Sequence, residues 1–241
     1  MLTVPSSRAP GARGAPLRVR LAAVLLVAGA CTGCSGPRES GSGPVAEGPP
    51  GDSAGGERAP TRAVFLGDSY TVASGIGTGY ASRTAAAMGW TPVLEAAGGT
   101  GYVAAGDGTV GPYAGRVDEV VADDPDVLLV QGSTNDVGSP VAAVAEAADE
   151  LYAELARRLP GAQVVVLGPL APPGVDRAGV LAVRDALADA ADDAGIPYID
   201  PIADGWLTPA DGLYGDPIHP NEAGHAELAD DLAEALRDAG L

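Results

Sequence analysis

Twelve residues near the C-terminus, "YGDPIHPNEAGH", hold both histidines of the 241-residue chain, His219 and His225. Histidine ordinarily titrates near pH 6.5, so it can take up and return a proton at neutral pH. A serine hydroxyl becomes a useful nucleophile when such a base removes its proton, and the base needs a third group to fix its tautomer. Asp216 stands three residues before His219, and Pro217 and Pro220 directly follow the two. A residue before proline avoids the helical region, and proline fixes its own φ. "DPIHP" therefore reads as a stiff, extended loop, which is what a positioned catalytic pair requires. The serine that matches it is Ser69, at the end of the apolar run in "FLGDSYT", where Gly67 permits a tight turn. His225 shares a helical face with Leu228 and Leu232, three and seven residues on, and reads as a packing or capping residue.

Acyl transfer also needs donors for the developing oxyanion, each worth roughly 3 kcal/mol of barrier. Asn135, in "GSTNDV", offers a side-chain amide. The one other asparagine, Asn221, reads as the N-cap of the last helix. A glycine of "AAGGTG", Gly98 or Gly99, offers an unobstructed backbone N–H.

The elements that would position these groups follow from the apolar pattern. The runs 63–67, 92–97, 126–132, 163–170 and 196–202 read as five buried strands. In 140–159, Val141, Val144, Ala148, Leu151, Leu155 and Leu159 form one helical stripe, with Ser139 as expected N-cap and Pro140 as first residue. Val180, Val183 and Leu187 form another stripe, and Leu228, Leu232 and Leu236 a third. Strands alternating with such helices predict an α/β fold, one parallel sheet covered on both faces. Sites in these sheets lie beyond the carboxyl ends of the strands. Ser69, the glycine pair, Asn135 and the Asp216/His219 loop all follow strand ends, so they converge on one rim.

The N-terminus reads as a separate segment. Arg8, Arg13, Arg18 and Arg20 precede "LAAVLLVAGA" (21–30), with no acid before Glu39. This is the pattern of an export signal, and its apolar run is too short for a membrane span of about 20 residues. "ACTGCSG" follows, with the only cysteines. It resembles the lipobox of bacterial lipoproteins, in which a cysteine is lipidated; Cys34 is the expected anchor and Cys31 the alternative. Simple secretion is the competing reading. The expected boundaries are 1–34 for the signal, 35–60 for a flexible Gly/Pro/Ser linker and 61–241 for the catalytic domain. Within the linker, Ser53 in "GDSAG" matches G-x-S-x-G but lacks the flanking strand and helix that motif needs.

The formal charge is −18, or −22 once residues 1–34 and their four arginines are gone. No lysine occurs. That balance excludes a nucleic-acid partner and electrostatic binding to anionic lipid, leaving a lipid anchor as the expected membrane attachment. Arg-only basic usage in an Ala/Gly/Pro-rich chain points to a high-GC, actinobacterial-type genome.

Taken together, the residues resemble the SGNH (GDSL-type) hydrolases, esterases and acylhydrolases with a flavodoxin-like sandwich. Their four sequence blocks carry Ser, Gly, Asn and Asp-x-x-His in that order, and here "FLGDSYT", "AAGGTG", "GSTNDV" and "DPIHPNEAGH" follow the same order. The resemblance implies Ser69 as nucleophile, His219 as base and Asp216 as its orienting partner. It implies an oxyanion hole of Ser69 N–H, Gly98 and Asn135, with no metal or cofactor. Tyr70 replaces the leucine usual after the serine, and Ser133 replaces the glycine usual two residues before the asparagine. The implied activity is hydrolysis of carboxylic esters through an acyl-enzyme, with small acyl groups expected on an ester of a small alcohol or a glycan, and a monomer is expected. The competing readings are a non-catalytic, glycan-binding version of the fold and a nucleotide-binding domain. The latter rests on "GIGTG" (75–79), whose glycine spacing and place in the chain do not fit. Trp206 and Tyr214 either stack on a sugar or cover the core. The acyl pocket is expected to be lined from "YTVASGIGTGY" and "ADGWLTPADGLY".

Overall fold

The apolar runs become five parallel strands: β1 (Arg62–Gly67), β2 (Thr91–Ala96), β3 (Val127–Gln131), β4 (Gln163–Leu167) and β5 (Tyr198–Ile199), in the order β2-β1-β3-β4-β5. The structure is a computed structural model that describes residues 59–241. The export segment, Cys31, Cys34, Ser53 and the linker up to residue 58 lie outside the described residues.

Strand alternation decides the layers, because neighbouring side chains on a strand point to opposite faces. Val64, Leu66, Leu128, Val130 and Val166 pack on one face with Val144, Leu151 and Leu155 of α4 (Val141–Arg158) and Val183 and Leu187 of α5 (Arg177–Ala194). Ala63, Phe65, Val127, Leu129, Val165 and Leu167 pack on the other. There they meet Tyr80, Ala81 and Ala85 of α2 (Tyr80–Met88) and Leu228, Leu232 and Leu236 of α6 (Glu222–Asp238). The result is the expected three-layer α/β/α sandwich. Two further short helices are α1 (Ser69–Val72) and α3 (Val117–Ala122).

Three local expectations are corrected. β2 is an edge strand and not a buried one: Leu94 is 41% exposed, and Pro92 occupies a place where a missing N–H does least harm. β4 and β5 are shorter than their apolar runs because Pro169, Pro197 and Pro201 lack the N–H that would continue the ladder. Asp200 turns the chain after β5, its carboxylate accepting the N–H groups of Ile202 and Ala203. Pro140, not Ser139, caps α4, and no side chain completes that cap.

Asn221 caps α6 as expected, accepting the Gly224 N–H at 3.0 Å. On that helix Asp231 lies against Glu227, Asp230 and Glu234 and near Asp204; burial first, then these four carboxylates, push its carboxyl up to about 6. A raised carboxyl favours the folded state below its ordinary range, and that contribution is lost as pH rises through about 6. This contribution alone therefore lowers the melting temperature between about pH 4 and pH 6, where His225, pushed down to about 4 by burial, acts in the opposite sense. Asp231→Asn should flatten that fall, and equal slopes in the two proteins by thermal denaturation would count against this origin.

Candidate active site

β1 delivers Ser69 to the rim as the first residue of α1. Asp68 caps this single turn, its carboxylate accepting the Tyr70 N–H at 2.9 Å. A Cβ on Gly67 would overlap the Thr71 side chain, so the turn into α1 closes only with glycine there.

Ser69 Oγ lies 3.1 Å from His219 Nε2, and His219 Nδ1 lies 2.9 Å from Asp216 Oδ2. The other Asp216 oxygen accepts the backbone N–H groups of Ile218 and His219, each at 2.7 Å. The His219 backbone bond, then its ring, then the Ile218 N–H hold the Asp216 carboxyl down at about 2. An ionised Asp216 can only accept, so Nδ1 carries the proton and Nε2 presents its lone pair to the serine hydroxyl. The sequence thus brings Ser69, His219 and Asp216 into one hydrogen-bonded line. The two loop side chains are about half exposed, 44% for His219 and 52% for Asp216.

The oxyanion candidates surround the same oxygen. A Cβ on Gly98 would sit 3.9 Å from Ser69 Cβ, whereas Gly99 takes a φ of +74° and faces Gly106. Gly98 is therefore the glycine that faces Ser69. Among the described residues, neither the Ser69 nor the Gly98 N–H has a hydrogen-bond acceptor. Asn135 follows β3 on a short 3₁₀ turn (Thr134–Asp136). Its amide donates to the Thr100 carbonyl at 2.9 Å and to Asp68 Oδ2 at 3.2 Å. Ser133, at the position where glycine is usual, accepts the Asn135 N–H at 3.0 Å and donates to the Thr100 carbonyl, so the serine braces the asparagine turn.

Sequence reasoning missed the support beneath these groups. Arg116, 4% exposed, donates to the carbonyls of Gly67 and Glu95 and to the Thr100 hydroxyl, tying the ends of β1 and β2 to the glycine loop. Asp136 is fully buried and accepts the N–H groups of Tyr102, Val103 and Ala104, which fixes the other side of that loop. Asp68 is also fully buried, and burial raises its carboxyl to about 6 although the Tyr70 N–H it accepts favours its charge. The signal for Asp68 stood in "GDS"; Arg116, in "YAGRV", matches no motif. His225 is buried, as expected, and its Nδ1 accepts the Tyr80 N–H at 3.3 Å.

Two clefts meet at Asp216. One, of about 320 Å³, is lined by Ser69, Ala73, Ser74, Ile76, His219 and Glu222 among others. The second, about 530 Å³, is lined by Pro173, Pro209, Tyr214 and Pro217 and shares Gly215 and Asp216 with the first. Of the two expected loop stretches, 70–80 lines the cleft at Ser69, whereas 203–214 lines only the second cleft. Trp206 packs against the core, and Tyr214 does so while also facing the second cleft.

A model of the GDSL-like Lipase/Acylhydrolase family matches residues 65–227, spanning all four groups. The chain belongs to this family. Among GDSL relatives, the GDSL lipase Rv0518 of Mycobacterium tuberculosis (strain ATCC 25618 / H37Rv) is 32% identical, over 71% of this chain and 79% of its own. The GDSL fold also matches solved structures at lower identity. An acetyl xylan esterase has a TM-score of 0.60 at 18% identity, covering 73% of this chain and 99% of that one. A Clostridium thermocellum family two carbohydrate esterase, solved with cellohexaose, has a TM-score of 0.62 at 18% identity, covering 75% of this chain and 65% of that one. These two likenesses concern the fold.

Proposed function

We propose that the protein is a serine esterase that hydrolyses small-acyl carboxylic esters through an acyl-enzyme on Ser69. The observation that carries this reading is the unbroken line Asp216–His219–Ser69, at 2.9 and 3.1 Å. His219 Nε2 takes the Ser69 proton as Oγ attacks the ester carbonyl, and the carbonyl oxygen becomes an oxyanion facing the Ser69 and Gly98 N–H groups. Asn135 joins them by giving up its longer bond, that to Asp68, since an oxyanion competes for the same N–H. His219 then protonates the departing alcohol, and the same nitrogen later activates a water that releases the acid. A glycan-binding protein that had lost catalysis would have no use for this line of three.

The short-acyl preference rests on the scarcity of long apolar loop segments in the sequence, which leaves little to form a lid over the cleft beside Ser69. The carboxylates of Asp216 and Glu222 at its wall disfavour anionic esters. Residues 61–241 are expected to hydrolyse p-nitrophenyl acetate with a higher kcat/KM than the octanoate, in a Ser69-dependent manner. A rate that rises with chain length would replace the small-acyl reading with a lipolytic one.

Export and lipid anchoring at Cys34 complete the proposal, on the strength of the N-terminal sequence. The full chain expressed in an actinobacterial host should partition with membranes and incorporate labelled palmitate. The Cys34→Ala protein should lose the label; retention of it would move the anchor to Cys31.

A further inference from the structure

Three consecutive carbonyls of the histidine loop each meet a donor from elsewhere. The Gly174 N–H donates to Pro217 at 2.6 Å and the Gly215 N–H to His219 at 2.9 Å. Between them, the Tyr70 hydroxyl donates to the Ile218 carbonyl at 2.5 Å. Of the three donors, Tyr70 alone sits on α1, the turn that carries Ser69. It is also the one side chain among them, reaching across 148 positions of sequence. Its ring is 2% exposed and lies 6.1 Å from the His219 imidazole, centroid to centroid. Burial, with Tyr214 next to it, pushes the Tyr70 phenol well above its ordinary range, so it remains a donor throughout any assay.

We propose that the Tyr70 hydroxyl is a positioning group that sets the Ser69–His219 separation by tying the nucleophile's turn directly to the base's loop. Asp216 and His219 share that loop, so their mutual geometry does not depend on Tyr70. The distance between His219 Nε2 and Ser69 Oγ does, because the two atoms sit on separate elements. A leucine in its place would pack but could not donate. The inference rests on the esterase reading given above.

The test compares wild type, Tyr70→Phe and Tyr70→Leu on p-nitrophenyl acetate, with Ser69→Ala as blank. Each sample is titrated with a fluorophosphonate, so that rates refer to intact serine sites. Tyr70→Phe removes one oxygen and should keep the melting temperature within a few degrees. Its kcat per titrated site is expected to fall about 10-fold, because small misplacements of reacting groups are costly. KM should stay within about twofold and the shape of the pH–rate profile unchanged, since Asp216 still holds His219. Tyr70→Leu should match the phenylalanine variant in kcat, which assigns the loss to the hydroxyl. A wild-type kcat per titrated site in Tyr70→Phe would overturn the proposal and leave the esterase reading standing, as would a loss that appears only as fewer titratable sites. Absence of Ser69-dependent turnover in the wild type would overturn both.

Discussion

Ester hydrolysis by the Ser69→Ala protein is expected to fall by about 10⁴-fold or more, into the range left by the oxyanion donors and binding alone. The size of the loss follows from the geometry. Ser69 Oγ is the hydroxyl that His219 Nε2 reaches, at 3.1 Å. Ser74 also lines the cleft but makes no hydrogen bond to the imidazole, so it does not substitute. The backbone that places Ser69 is fixed by Asp68 and Gly67, neither of which depends on the serine hydroxyl. The variant should therefore fold and melt like the parent. The check is kcat for p-nitrophenyl acetate in both proteins at matched melting temperature. Turnover within about 10-fold of the parent would remove Ser69 from the mechanism.

Asp216→Asn is expected to cost about 10³-fold in kcat with KM little changed, because it attacks the imidazole's tautomer rather than its place. The carboxylate accepts three hydrogen bonds, two from backbone and one from the His219 ring. An asparagine keeps one oxygen for the backbone pair and turns an N–H₂ toward Nδ1. That leaves Nε2 protonated and facing Ser69 as a donor. The Asp216 carboxyl is held at about 2, below its ordinary 3.8. Its ionised form is thus favoured by the fold above the ordinary value, and that preference is lost as pH falls through about 2. Asp216 should accordingly stay ionised on mild acidification, so any fall in activity there is expected to have another origin. Steady-state kinetics from pH 5 to 9 tests both points; a variant with normal kcat would show that the half-exposed carboxylate is replaceable by water.

What was legible in the sequence was whatever a short window carries. The strand runs, the stripe of α4 and the cap at Asn221 depend on neighbours within a few residues, and the parallel direction of the strands follows from their alternation with helices. The four site blocks were legible for the same reason: three sit just beyond strand ends, and the fourth, well beyond β5, carries its own signal in its two X-Pro steps. Other features belong to the sheet as a whole. β2 reads as apolar as its neighbours, yet it lies at the edge, where among the described residues no strand pairs its outer side. Arg116 looks like one more scattered arginine until the ends of β1 and β2 bring their carbonyls to it. The Tyr70 contact spans 148 residues and has no local signature at all. The aromatic at that position stood out in the sequence only as a departure from leucine.

All five strands run the same way, and this gives the domain a front and a back. β1 begins at Arg62 and ends two residues before Ser69, so about 20 Å of strand separates the chain's point of entry from the nucleophile. A support attached directly at Arg62 would therefore hold the domain by the end of β1 that lies away from Ser69. Immobilised in that way on a bead, the domain would present the Ser69 rim to the solution and not to the bead.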